Sequence, residues 1–190
     1  PRIGIVLSGG GALGYAHIGA LQALEEQGIH VDCLAGSSMG ALVGVMYASG
    51  MTPKEIHDLV LNEGYNDRRK ILGPATRHKG GKRRLGFASF KHIRKTLTQY
   101  IPSNFDSLQH QYFVCVTDIT TSDVKIVSSG DRLIDYVLAS ASIPAIFEAI
   151  EIDGHYYVDG GVLNNLPAQE IRQHCDILIG VDVHPDTTHP

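Results

Sequence analysis

Twice near its start the chain runs through a short apolar stretch, breaks on a glycine cluster and resumes with apolar residues at helical spacing. Ile3–Leu7 ends in Ser8-Gly9-Gly10-Gly11, after which Ile18, Leu21 and Leu24 share one face of a helix over 15–27 that Gly28 stops. The run 29–35 likewise leads into Gly36-Ser37-Ser38-Met39-Gly40 and an apolar helix reaching Ser49. Strands that alternate with helices in this way imply an α/β sandwich, in which helices cover a mainly parallel sheet.

The rest of the chain extends the pattern. Thr52-Pro53-Lys54-Glu55 reads as a capping box with proline at the first helical position, opening a helix with Ile56, Leu59 and Val60 inward. Periodicity then lapses over 64–86, which predicts a mobile loop. Within it Arg68, Arg69, Lys70, Arg77, Lys79, Lys82, Arg83 and Arg84 supply eight of the 16 Lys and Arg residues, and 68–84 contains no acid. Phe90, Ile93 and Leu97 mark an amphipathic helix, and 112–116 and 124–127 read as strands. Asp131 is expected to cap a helix through Ala141 that Pro144 keeps from continuing. A hairpin turning at Asp153-Gly154, a polar Asp159-Gly160-Gly161 turn, a helix from near Pro167 and a buried strand Ile177–Val181 complete the pattern. The expectation is a single domain over 1–190, with a further C-terminal helix expected to cover the last strand.

At 190 residues, 43% hydrophobic and 19% charged, the chain has enough apolar material for one core and too few charges for a disordered tail. The net charge of −4 leaves no overall positive field for nucleic acid. Cys33, Cys115 and Cys175 lack metal-ligand or disulfide-framework spacing, so reduced thiols in the cytoplasm are expected. The stretch 33–53 is uncharged and repeats Gly36, Gly40 and Gly44 at a helix-pairing interval, but its serines and glycines make it a poor membrane span.

A nucleophile on a sharp strand-to-helix turn needs small neighbours so that the backbone can bend and the hydroxyl can protrude, which makes Ser38, between Gly36 and Gly40, the candidate. The helix N-terminus there also aims N–H groups at the reacting centre. Gly9-Gly10-Gly11 can present successive N–H groups to an oxyanion. The same loop admits a second interpretation, because Gly9, Gly11 and Gly14 also fit the dinucleotide fingerprint, with Asp32 at about the distance required for a ribose-binding acid. Of the ten histidines, His17, His57 and His78 have structural or solvated contexts, whereas His155 is held in reserve as a base. Asp159 is the stronger candidate, since Gly160 and Gly161 let its carboxylate approach another loop.

Taken together, Ser8-Gly9-Gly10-Gly11-Ala12-Leu13-Gly14, Gly36-Ser37-Ser38-Met39-Gly40, Ala139-Ser140-Ala141-Ser142-Ile143-Pro144 and Asp159-Gly160-Gly161 resemble the patatin-like phospholipase family, in its bacterial and neuropathy-target-esterase-like branches. Leu13 departs from the pattern, since many members place Arg or Lys there. The resemblance implies a three-layer α/β/α fold and a Ser38–Asp159 dyad. Backbone N–H groups of Gly9, Gly10, Gly11 and Met39 would surround the oxyanion, and neither metal nor organic cofactor is needed. Its substrates would be lipid esters such as phospholipids or lysophospholipids. The basic segment 68–84 would make peripheral contact with an anionic membrane surface, at the inner face of the membrane. The alternatives are a dinucleotide-binding protein and a non-catalytic lipid or protein interaction module.

Overall fold

In β1 (Ile3–Leu7), Ile5 and Leu7 enter one core and Val6 enters another, and all three are fully buried. A strand with apolar side chains on both sides belongs in the middle of a sheet covered on both faces. The computed structural model describes residues 1–63 and 90–184, so the loop expected over 64–86 lies outside the described residues. Its sheet runs β5-β6-β3-β2-β1-β7, with β4 also paired to β3. The strands are β2 (Cys33–Ser37), β3 (Gln111–Asp118), β4 (Asp123–Val127), β5 (Ile150–Ile152), β6 (His155–Asp159) and β7 (Ile177–Val181). Pairing is parallel from β7 through β1 and β2 to β3, and antiparallel where β4, β6 and β5 join.

The two covering layers differ in depth. On one face lie α1 (Ala16–Glu26), α2 (Met39–Ala48), α3 (Pro53–Glu63), α4 (Lys91–Tyr100) and α5 (Leu133–Ser140), whose inner residues form the larger core with Ile5, Leu7, Leu34 and Val114. On the other face α6 (Ala168–Ile171) and the turn after it bury Val6, Cys33, Ala35 and Phe113 against Ile171 and Cys175. The three cysteines are free and buried. The uncharged stretch 33–53 divides into β2, the ten-residue α2 and the start of α3. Among the described residues no helix is long and apolar enough to cross a membrane.

Local signals account for several boundaries. Thr52 and Glu55 form the reciprocal capping box, with Glu55 N–H donating to Thr52 Oγ1 at 3.2 Å and Thr52 N–H to Glu55 Oε2 at 2.8 Å. Asp153 and Gly154 turn the β5–β6 hairpin with φ of 52° and 81°, the backbone sign that two-residue hairpins require.

Three expectations are corrected. β2 starts at Cys33 and runs through Ser37, because the preceding segment is tied down locally, with His110 bonded to Val31 O and Asp32 to Ile3 N–H. The cap of α5 is Arg132, not Asp131, and makes no side-chain cap bond; Asp135 in its first turn instead takes Arg132 and Arg94 as ion-pair partners. β7 is apolar but not buried: it is an edge strand, and Ile177 is 47% exposed.

Candidate active site

Strand β3 is the template that assembles the site. Its residues Val114 and Cys115 pair with both β2 and β4, and Val116, Thr117 and Asp118 pair with both β4 and β6. With β4 occupying one edge over Val114–Asp118, β2 and β6 must share the other edge, end to end. They run in opposite directions, so their C-terminal ends meet: Ser37 lies opposite Cys115, and Asp159 opposite the next residue, Val116. Two segments 121 positions apart are thereby brought together, and Ser38 Oγ donates to Asp159 Oδ2 at 2.6 Å.

Ser38 has φ 52° and ψ −121°, a conformation that side chains of L-residues rarely adopt. Such a turn stores about 1–3 kcal/mol and persists only when its surroundings over-determine it. Here the supports are visible. Ser38 O accepts the N–H groups of Ala41 and Leu42 as α2 begins. Ser38 N–H donates to Ser140 Oγ at 2.9 Å, and that hydroxyl donates onward to Cys115 O at 2.6 Å. Space for the bend comes from Gly36 and Gly40: a Cβ on Gly36 would sit 2.4 Å from Gly40 O. Ser140→Ala would leave the buried Ser38 N–H without an acceptor, and a loss of about 1–3 kcal/mol is expected, read as a lower urea midpoint with unchanged m-value.

Asp159 is held from three sides. Its N–H donates to Ser142 O, its carbonyl accepts Thr117 Oγ1–H at 2.9 Å, and its Oδ1 accepts Gly161 N–H at 2.7 Å. Only Oδ2 faces Ser38. Gly160 must lack a side chain, since a Cβ there would lie 2.3 Å from Cys115 O and 2.6 Å from Ser37 Oγ. Burial pushes the Asp159 carboxyl above its ordinary value, against the opposing pull of its bonds from Ser38 and Gly161. The carboxylate is thus a better proton acceptor than a solvated aspartate.

The glycine loop after β1 lies beside this pair. Gly10 and Gly11 line the cleft with Ser38, Asp159, Gly161 and Asn165, and it encloses about 360 Å³. Gly9 behaves differently from its neighbours: its N–H donates to Asn165 O at 3.1 Å, so that amide points into the scaffold and not to an anion. Gly14 packs against the Met39 side chain, where a Cβ would come within 2.4 Å. Met39 is the first residue of α2, with its N–H at the open helix end.

Other candidates are placed elsewhere. His155 starts β6, at the opposite end of the strand from Asp159, and its Nδ1 is 2.7 Å from Asp118 Oδ2. His17 is fully buried under the loop, where its Nε2 donates to Ser8 O at 2.8 Å and burial lowers its pKa. His57 is exposed beside Asp58, and His78 lies outside the described residues. Asp32 precedes β2, its carboxylate accepting Ile3 N–H at 2.7 Å, at the strand end remote from Gly9, Gly11 and Gly14. A ribose-binding acid belongs at the other end. Among the described residues no three His, Cys, Asp or Glu side chains are placed to hold a metal ion.

Sequence reasoning gave no role to Ser140 and overlooked Thr117 and Asn165. The signal available for Ser140 was its position in the Ala139–Pro144 segment; Asn165 follows the Asp159 turn in Asn164-Asn165-Leu166-Pro167.

The family model for patatin-like phospholipase matches residues 5–171. The lysophospholipase NTE1 of Saccharomyces cerevisiae is 33% identical over 188 residues, covering 95% of this chain and 11% of the yeast protein. Human patatin-like phospholipase domain-containing protein 6 is 32% identical over 186 residues, covering 95% of this chain and 13% of the human one. The chain therefore spans about a tenth of the length of these relatives. Among solved structures, VipD from Legionella pneumophila superposes with a TM-score of 0.59 at 19% identity, over 87% of this chain and 47% of VipD, a likeness of fold.

Proposed function

We propose, because this chain belongs to the patatin-like phospholipase family, that it hydrolyses carboxylic esters of lipids with Ser38 as nucleophile and Asp159 as its base. The observation that carries this is the 2.6 Å bond from Ser38 Oγ to Asp159 Oδ2 on a strained strand-to-helix turn. Ser38 Oγ attacks the ester carbonyl while its proton passes to Oδ2. The resulting tetrahedral oxyanion accepts hydrogen bonds from the N–H groups of Gly10, Gly11 and Met39. Collapse expels the alcohol, which takes the proton from Asp159, and leaves the acyl group on Ser38. Water then gives a proton to the same carboxylate and attacks the acyl-enzyme; collapse releases the fatty acid as Ser38 Oγ leaves and takes that proton back from Asp159.

The scheme uses no cofactor. Phospholipid or lysophospholipid is the substrate class that the relatives' names support. A single catalytic domain in the cytoplasm, with the basic segment 68–84 against an anionic lipid surface, completes the proposal. A fluorophosphonate probe is expected to label the wild-type protein at Ser38 and to leave folded Ser38→Ala unlabelled. Labelling that persists in Ser38→Ala would overturn the assignment, as would an unlabelled wild type that binds NAD or NADP saturably.

A further inference from the structure

The cleft that holds Ser38 and Asp159 opens among exposed aliphatic side chains. Leu13, Ile143, Ile146, Val162 and Leu163 are 55%, 37%, 39%, 51% and 52% exposed. They come from three separate loops: the turn after β1, the connection from α5 to β5, and the turn after β6. Ile143 and Val162 line the cleft itself. The other three lie close to cleft residues: backbone bonds join Leu13 N–H to Gly10 O and Ile146 N–H to Ile143 O, and Leu163 directly follows Val162.

Isolated exposed aliphatics are ordinary on a protein surface, but convergence of three loops on one opening is the pattern of an interaction site. The chemistry of the rim narrows its occupant. None of the segments 11–14, 143–147 and 160–163 contains a charged residue, so seating these loop tips in hydrocarbon strands no ion of theirs, while Asp159 and His184 line the cleft and exposed Glu148 follows Phe147. Leu13 fits the same logic: its exposed aliphatic side chain stands one turn from Gly10, which lines the cleft. The apolar surface is also continuous with the cleft lining through Ile143, Pro144 and Val162.

We infer that this rim docks the cleft onto the hydrocarbon–water boundary of a lipid aggregate, so that an acyl chain passes to Ser38 without crossing bulk water. The inference rests on the ester-hydrolase proposal for its purpose, but not for its test. Leu13→Ser, Ile146→Ser and Leu163→Ser are combined in one variant; none of these residues lines the cleft. Co-sedimentation with neutral phosphatidylcholine vesicles is measured at low salt and at ~1 M salt, where exposed charges are screened. Hydrolysis of a soluble short-chain ester is measured alongside.

Wild-type binding to neutral vesicles is expected to survive high salt, and the triple variant to bind about tenfold or more weakly. Turnover of the soluble ester is expected to be equal in both. Vesicle binding that vanishes with salt would assign the contact to the basic segment and overturn the rim, as would a triple variant that binds like wild type. A wild-type dimer that the triple substitution dissociates, without vesicle binding, would give the rim to a second copy of the chain and likewise overturn it. Rim-dependent vesicle binding in a protein that cleaves no ester would uphold the docking surface and sink the hydrolase proposal instead.

Discussion

Asp159→Asn is expected to lower ester turnover by roughly 10³–10⁴-fold while leaving the protein folded. The asparagine keeps an oxygen for Gly161 N–H and a polar atom against Ser38, so the contacts that shape the turn survive. What disappears is the proton acceptor 2.6 Å from Ser38 Oγ, the proposed nucleophile. Ser38→Ala is expected to cost at least as much, and the double variant no more than the worse single, because two members of one proton-transfer unit do not contribute independently. The pH profile adds a separate check. The proposed mechanism requires ionised Asp159, and burial raises its pKa, so kcat/KM should fall on the acid side at a pH above that of an ordinary carboxylate.

Stability should move the opposite way. Below the unfolded-state pKa both states are protonated and the raised value has no effect. As pH climbs from there through the higher folded pKa, ionisation in the buried site progressively costs stability, and the full cost is present above it. Asp159→Asn removes an ionisable group from that site, so at neutral pH its melting temperature should equal or exceed that of wild type. A folded Asp159→Asn protein with near-normal turnover would require another base and would overturn the assignment of Asp159.

The legible parts of this site were those whose constraints are local in sequence. Gly36 precedes Ser38 because the chain crowds itself within a few residues, a Cβ there meeting Gly40 O at 2.4 Å, and that crowding is written in the spacing. The capping box at Thr52 and the Asp153-Gly154 hairpin are legible for the same reason. The partnership of Ser38 with Asp159 is not local: it depends on β2 and β6 sharing one edge of β3, and no property of either segment alone encodes that. Gly160 and Gly161 marked Asp159 as a candidate base, and the resemblance to a family supplied its pairing with Ser38.

Three other features were hidden because each is decided by a distant partner. Gly9 looks like its neighbours in sequence, yet its N–H is directed to Asn165 O. The hydroxyl of Ser140 became a support when its helix ended against the turn at Ser38. An apolar run such as Ile177–Val181 reports a strand but not its place in the sheet, and this one falls at the edge.

Gly40→Ala is expected to destabilise the fold by about 3 kcal/mol or more, whereas Gly19→Ala is expected to stabilise it by about 0.5–1 kcal/mol. Both glycines lie in helices, so intrinsic propensity favours alanine at both. Their surroundings decide the sign. Gly19 is exposed in the interior of α1 and a Cβ there would meet nothing within 4 Å. Gly40 lies in the first turn of α2 where that helix crosses the end of β1, and a Cβ would lie 2.2 Å from Leu7 O and 2.5 Å from Ser8 O. Those atoms are backbone and cannot swing aside as a flexible side chain would. Leu7 belongs to the paired strand β1, and Ser8 is pinned by its N–H bond to Val181 O and by Ser8 Oγ accepting Val183 N–H.

The helix would therefore have to lift away from the sheet, carrying Ser38 from Asp159 and Met39 N–H from the glycine loop. Urea unfolding of the two variants in parallel separates the terms, because helix propensity acts in both and backbone contact in one. Equal midpoints for Gly40→Ala and wild type would mean that α2 can shift without loss, and the close crossing that builds the turn at Ser38 would not be a requirement of the fold.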